Sequence, residues 1–217
     1  NVQFAMLATR FRGNVDPFFA MNAANASQAG LRLGAYIYSY ATSVEMAQQE
    51  ADFVLNLIKD YPISFPVVFD AEDANTLGTL TQSQVSDVIN AFCKRIQDAG
   101  YYPMVYANEY WIANKIDMSK ISYDIWVAKY QQKYTYSKTS MWQASNTGSV
   151  KGVNGNVDID YLYKDYTQII PGNTWRTIAG NRYYYQNHVM QKAAWINDGQ
   201  NWYYMNCLLY TSPSPRD

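Results

Sequence analysis

The run Phe65-Pro66-Val67-Val68-Phe69-Asp70-Ala71-Glu72-Asp73 decides how the chain is read. Its apolar half is a short strand, and the strand's C-terminal end carries carboxylates two positions apart. Side chains at i and i+2 on a strand share a face, so Asp70 and Glu72 project into one cleft. In α/β barrels the C-terminal ends of the strands hold the chemistry. Two nearby carboxylates do not titrate alike: repulsion and burial raise one, so that it stays protonated as an acid. Cleavage of a glycosidic bond uses such a pair. Taken alone, the pair also fits a helix cap or a solvated loop. A second acidic run, Asn156-Val157-Asp158-Ile159-Asp160, shifts the balance, because Asp158 and Asp160 share a face and a sheet can set them beside Asp70. A hard cation such as magnesium is another use for such a cluster. No phosphate-binding loop accompanies it, and neither a metal nor a cofactor is expected.

Outward from Phe65, strand patterns fall at 2–8, 33–39, 66–71, 103–107, 124–129, 139–143 and 157–160, with helix patterns between them. Thr42 with Glu45 reads as a capping box ahead of Ala47, Ala51, Val54, Leu55 and Ile58 at helical spacing. Thr81 with Gln84 opens a second helix, with Val85, Val88, Ile89, Phe92 and Ile96 on one face and Gly100 closing it; Gly30 closes the alanine-rich run 20–29. Strand–helix alternation implies a parallel sheet or a barrel. Tyr36, Tyr38, Tyr106, Trp126 and Trp142 lie on the strands, where rings stack on sugars or fill a core; for Trp126 packing is at least as good a reading.

Composition bounds the function. With 217 residues and 48% hydrophobic side chains, the chain can bury a real core. Charged residues are 16% and the formal net charge is −1, so no basic patch favours nucleic acid. No apolar run approaches the roughly 20 residues of a membrane span. Cys93 and Cys207 make no disulfide framework, and Cys93 sits on an apolar helical face as an inert thiol. The single histidine, His188, lies outside residues 1–166 and reads as a turn or packing residue. Histidine-dependent triads and zinc sites are therefore excluded from that zone, and acid–base work falls to carboxylates and tyrosines.

Residues 173–206 differ. Gly180, Tyr183, Tyr184, Tyr185 and Asn187 recur as Gly199, Trp202, Tyr203, Tyr204 and Asn206, and Trp175 recurs as Trp195. A period near 20 residues marks a repeat of short aromatic hairpins. Residues 207–217 break the pattern; they resemble a translated sequencing adapter, with a disordered serine- and proline-rich tail as the alternative. The chain opens on Asn1 in mid-pattern, which reads as a cut N-terminus with no export signal in view.

Residues 1–166 resemble the glycoside hydrolase family 25 muramidases, the Chalaropsis-type lysozymes. The runs that carry the resemblance are Val15-Asp16-Pro17-Phe18-Phe19, Ala29–Tyr36, Pro66–Asp73, Phe92–Ile96, Gly100–Asn108, Ile125–Tyr130, Met141–Ser145 and Gly155–Leu162, in family order. The resemblance implies an irregular TIM-like (β/α) barrel and cleavage of the β-1,4 bond from N-acetylmuramic acid to N-acetylglucosamine. It implies Glu72 as general acid/base, Asp70 and Asp158 as flanking partners or nucleophile, and Tyr36, Tyr106 and Trp142 along the sugar cleft. The chain departs from the family pattern twice. A first strand carrying a further aspartate is expected ahead of Asn1, and Ala8 stands where the family often has arginine. Loss of a strand leaves a barrel with two open edges, so the polypeptide as written is expected to be inactive and poorly stable.

The aromatic units resemble choline-binding-type wall-binding repeats, which implies Trp195, Trp202 and Tyr204 as ligands for choline or another wall polymer. The expectation is a secreted or wall-associated monomer acting on the peptidoglycan glycan strand, without nucleic-acid or membrane partners. It has a catalytic unit at 1–166 and a binding unit at 173–206. The alternative is a non-catalytic protein that binds wall glycan.

Overall fold

The computed structural model describes residues 2–11, 13–130, 132–205 and 211–213. Cys207, Asn206 and most of the 207–217 segment lie outside them. A seven-stranded sheet runs in the order β1 (Phe4–Ala8), β4 (Arg32–Tyr38), β5 (Ile63–Asp70), β6 (Pro103–Asn108), β7 (Asp124–Ala128), β8 (Thr139–Gly148) and β9 (Val157–Leu162). A minor hairpin, β2 (Arg10–Phe11) with β3 (Asn14–Val15), follows β1. Neighbours pair in parallel up to β8, and β9 returns antiparallel. The sheet curls into a half-barrel whose edge strands are β1 and β9.

Helices α1 (Phe19–Gln28), α2 (Val44–Ile58) and α3 (Gln82–Asp98) cover the convex face. Val67 and Phe69 of β5 meet Val88, Ile89 and Phe92 of α3 there, all at 2% exposure or less. Each such side chain taken from water contributes about 1.5–3 kcal/mol. The concave face holds a second cluster of Phe65, Val68, Met104, Tyr106, Trp126, Met141 and Tyr166. Phe65 and Val68 are three apart yet share this face. The β4–β5 register shifts between Leu33 and Ala35, opposite the segment containing Pro66, which has no N–H for the ladder. The Pro66 irregularity thus sets the parity that turns Asp70 inward.

The capping box of α3 is present: Thr81 Oγ1 accepts from the Gln84 N–H, and Gln84 Oε1 accepts from the Thr81 N–H. Helix α2 corrects the expected cap by one residue. Ser43 in extended conformation accepts from the Met46 N–H, while the Thr42 hydroxyl turns to the Met46 sulfur. Cys93 is fully buried in α3.

Two small antiparallel sheets follow. One is β10 (Thr174–Ile178), β11 (Asn181–Gln186) and β12 (Val189–Met190); the other is β13 (Ala194–Asn197), β14 (Trp202–Met205) and β15 (Thr211–Pro213). Residues 211–213, expected to fall outside the fold, pair with β14. Positive φ at Ala179 and Gly180, and at Asn187 and His188, makes the tight turns of the first sheet, so His188 is a turn residue.

The first hairpin is part of the main core: Ile178, Tyr183, Tyr185 and Met190 join the cluster under the helices. Arg176, 1% exposed, lies between the rings of Tyr101 and Tyr185, its guanidinium carbon 3.9 and 4.2 Å from their centroids. Tyr185 donates to the Lys59 carbonyl at 2.8 Å, and the Thr177 N–H to the Ala99 carbonyl at 3.1 Å. Gly100 is needed twice over. Its φ of +89° favours glycine, and a Cβ there would meet the Trp175 carbonyl oxygen at 3.1 Å and Arg176 Cγ at 3.2 Å.

Candidate active site

Asp70 ends β5 and is 8% exposed. Burial, then the nearby Glu72 charge, holds its carboxyl well above the ordinary range. Its Oδ1 is buried and has no hydrogen-bond partner. Glu72 lies two residues beyond the strand rather than on it. Asn108, the last residue of β6 and the N-cap of helix α4 (Glu109–Asn114), holds it there. The Asn108 backbone N–H donates to Glu72 Oε1 at 3.0 Å and the Asn108 side-chain amide donates to the same oxygen at 2.7 Å. Burial raises the Glu72 pKa, and the two Asn108 bonds pull it partly back. Two N–H groups on Oε1 require lone pairs there, so a proton on Glu72 belongs on Oε2, which has no partner among the described residues. Asp73, third acid of the run, does structural work: its Oδ1 accepts from the Asn75 and Thr76 N–H groups and the Thr76 hydroxyl.

Across the concave face, Asp158 is the most open of these acids and Asp160 is half-buried. Gln143 on β8, 3% exposed, donates from Nε2 to Asp158 Oδ2 at 3.0 Å. The indole N–H of Trp126 donates to Asp160 Oδ1 at 2.9 Å. Burial pushes Asp160 up to about 7, opposed by that indole bond and reinforced by the Asp158 charge. Asp158 is also raised, by partial loss of hydration.

Tyr36 of β4 stands among Asp70, Asp158 and Asp16; burial and then the Asp70 and Asp158 charges push its hydroxyl up to about 12. Tyr106 packs edge-on against Trp126 at 4.8 Å and donates to Gln143 Oε1 at 2.8 Å. Asp70, Asp158, Asp160, Tyr36, Tyr106, Trp126 and Gln143 line one cavity of about 590 Å³ that reaches β1 and the β8–β9 loop. Glu72 lines a smaller pocket of about 310 Å³ with Asn108, Glu109, Lys129 and Tyr130. Tyr130 links the two, because its hydroxyl donates to Gln143 Oε1 at 2.8 Å.

The structure therefore gathers Asp70, Asp158, Tyr36 and Tyr106 around one cavity and puts Glu72 at its neighbour. It does not bring Trp142 to them. Met141 and Gln143 face inward, so Trp142 faces outward, stacked on Tyr161 at 5.5 Å with its indole N–H on the Lys129 carbonyl. Period-two alternation makes the two placements mutually exclusive. Ala8 ends β1 as expected; the nearest arginine, Arg10, pairs with buried Glu50 at 2.7 Å. Sequence reasoning missed Gln143 and Asn108, whose roles arise only when separate strands meet.

Trp195, Trp202 and Tyr204 share one face of the second hairpin and are 54%, 56% and 37% exposed. Trp195 and Tyr204 are cross-strand partners with rings 5.2 Å apart. In the first hairpin the matching pair is Trp175 and Tyr184, so Trp202 corresponds to Arg182, not to Tyr183. The sequence alignment of the repeats is thus off by one on the second strand, which inverts its faces. Arg182 lies over Trp175, 4.4 Å from the ring centroid.

A family model for glycosyl hydrolases of family 25 matches residues 2–153. The chain belongs to glycosyl hydrolase family 25. The uncharacterized protein YegX of Escherichia coli K12 is 29% identical over 164 residues, 73% of this chain and 58% of YegX. The chain thus spans under two thirds of that relative. Among solved structures, the CTP1L endolysin is similar at a TM-score of 0.64 and 26% identity, over 77% of this chain and 59% of the endolysin. The autolysin LytC of Streptococcus pneumoniae, in complex with a synthetic peptidoglycan ligand, shares the fold at a TM-score of 0.62 and 23% identity, over 73% of this chain and 40% of LytC.

Proposed function

We propose that this chain carries the catalytic unit of a peptidoglycan hydrolase, an N-acetylmuramidase that cuts the β-1,4 bond between N-acetylmuramic acid and N-acetylglucosamine. The observation that carries this reading is the divided set of carboxylates, Glu72 with a free Oε2 and Asp158 across the concave face. Glu72 delivers its Oε2 proton to the leaving oxygen; Asn108, bound to Oε1, fixes which oxygen carries it. Asp158 is the opposing carboxylate, as nucleophile or as stabiliser of the oxocarbenium-like transition state. Asp70 sits too deep to attack; burial and the Glu72 charge favour its protonated form, so it stands beside Glu72 as a neutral neighbour at the cavity wall. Tyr36 and Tyr106 line the sugar path. CTP1L is an endolysin and LytC an autolysin seen with a peptidoglycan ligand, and both support wall glycan as the substrate class. Action is then outside the cell or at the wall, with residues 1–166 catalytic, 173–206 binding a wall polymer, and Trp195, Trp202 and Tyr204 as the contact face.

The half-barrel has open backbone edges on β1 and β9, and residues of both line a groove of about 830 Å³. A TIM-like barrel needs a further strand there to close the lumen. The 217-residue polypeptide is accordingly proposed to be inactive alone. The test pairs it with a version whose seam is filled by an added strand. Digested wall is separated and its new reducing ends identified by mass spectrometry. Muramic acid ends released only by the closed version are expected; N-acetylglucosamine ends would overturn the bond assignment, and lysis by the open polypeptide would overturn the inactivity. The open seam also favours a second reading, a protein that binds wall glycan without cutting it. Retention on wall with no new ends from the closed version would establish it.

A further inference from the structure

The glycosidase reading uses Glu72, Asp70 and Asp158 and leaves an amide at the centre of their network without a role. Gln143 is buried, and every polar atom of its side chain is engaged. Its Oε1 accepts two hydroxyls, from Tyr106 and Tyr130, each at 2.8 Å. Its Nε2 donates to Asp158 Oδ2 at 3.0 Å. An ionised carboxylate only accepts, so Asp158 takes the amide N–H and fixes the orientation of the amide, leaving Oε1 to the two hydroxyls.

We propose that Gln143 is the positioning residue of this site, holding Asp158 ionised and aimed into the cavity while committing both tyrosine hydroxyl protons to itself. The inference rests on the glycosidase reading for its purpose, but its geometry stands without it. Two consequences follow from hydrogen-bond chemistry. An N–H donated to a carboxylate favours the charged form, and among the described residues Gln143 is the side chain that does this for Asp158. The other titratable groups about Asp158 are Tyr36 on β4, Asp70 on β5, Tyr130 after β7 and Asp160 on β9, with Lys151 of the β8–β9 loop lining the adjoining groove. Among these carboxylates and phenols, Gln143 supplies the N–H donor to Asp158. Second, Tyr106 and Tyr130 have spent their protons, so each meets a ligand with lone pairs only. They select sugar substituents that donate, such as hydroxyls and the amide N–H of an N-acetyl group, and disfavour those that only accept.

The test needs no catalysis. Aspartate carboxyl carbons of the 217-residue protein are labelled and titrated by NMR, with Gln143→Glu and Gln143→Leu beside the wild type. Glutamate keeps the acceptor for both tyrosines but replaces the N–H donor with a charge. Leucine removes donor and acceptor together. In both variants the Asp158 midpoint is expected to rise by about one pH unit or more, a tenfold change in proton affinity. Asp117 and Asp165, in exposed turns, report that the fold persists and should not move. If leucine fails to fold, the near-isosteric glutamate variant carries the test; if that too loses its dispersed spectrum, Tyr130→Phe, changed at a half-exposed ring, replaces it, with a smaller rise expected. An Asp158 midpoint within about 0.2 units of wild type in a folded variant overturns the inference. A shifted Asp158 in a protein that never cuts wall, even with its seam closed, overturns the muramidase reading instead and leaves the coupling intact.

Discussion

The concave face of the sheet and the second hairpin are both rich in aromatic rings, and they use them in opposite ways. In the lumen Tyr106 and Tyr130 are tied at their polar ends to Gln143, and Trp126 to Asp160. On the second hairpin, Trp195 and Trp202 stand more than half exposed. Tied rings shape a cavity and orient charges; open rings offer area to a ligand that arrives from solvent. The first hairpin sits between these extremes. One face is sunk into the core around Arg176, and the other carries Trp175, already covered by Arg182 and packed on Tyr203. Aromatic content therefore does not distinguish these surfaces; exposure does.

The strongest way to break this division is Glu72→Gln in a seam-closed protein. Hydrolysis should fall by about 10²–10⁴-fold with sedimentation on wall unchanged, because the proposed general acid is lost and the hairpin face is not. Equal loss of both would show that cutting and clinging are one surface. Next in size is Arg176. Arg176→Ala should cost about 2–4 kcal/mol in urea unfolding, since it empties the space between Tyr101 and Tyr185. Arg176→Met should cost far less, because its Nε and Nη1 are buried without partners and a charge held so poorly adds little. If methionine is as damaging as alanine, the charge and not the packing docks the hairpin.

What the sequence disclosed follows period and punctuation. The strands were legible because β5 to β7 are continuous apolar runs, and α3 because Thr81 and Gln84 close a capping box. Asp70 and Glu72 were legible as neighbours, and the family resemblance implied different roles for them, but the contact that holds Glu72 was not, because Asn108 reaches it from 36 residues away. Gln143 is hidden for the same reason; an amide has no signature until a strand from elsewhere supplies its partners. Trp142 was misplaced because strand parity fixes relative faces and not which face is inward. The hairpin alignment slipped because it matched Gly180 with Gly199, and these turn glycines sit one residue out of step with the paired rings Trp175–Tyr184 and Trp195–Tyr204.

A smaller effect separates the two regions by pH. Asp160 is held near 7 in the folded chain, above its value of about 3.9 when unfolded. A raised acid stabilises the fold below its unfolded pKa and loses that stabilisation as pH climbs through the folded value. The sheet should therefore weaken between about pH 4 and 7, with Asp70 adding in the same direction. Asp160→Asn keeps an acceptor for Trp126 and removes the charge, so it should flatten the decline and add about 1–3 kcal/mol at pH 8 in urea titrations. The exposed hairpin face carries no raised acid, and wall retention by that face should be flat over the same range. A retention curve that tracks the unfolding curve would show that the hairpin senses the site.

The smallest expected effects lie on the hairpins themselves, and they decide whether exposure is the right criterion. Trp195→Ala, Trp202→Ala and Tyr204→Ala each remove an exposed ring, so each should leave stability within about 0.5 kcal/mol. If the face binds a quaternary ammonium or a sugar ring, each should weaken wall retention by about three- to thirtyfold, the range of a single cation–π or stacking contact. Choline then displaces the protein if the ligand is cationic and leaves it bound if the ligand is a neutral glycan. Trp175 supplies the contrast, since Arg182 already occupies one face of its ring and Tyr203 packs against it. Trp175→Ala should lower stability, through lost packing between the hairpins, and leave retention per folded molecule unchanged. Arg182→Ala, by uncovering that ring, should add retention if open aromatic area is what the wall ligand recognises.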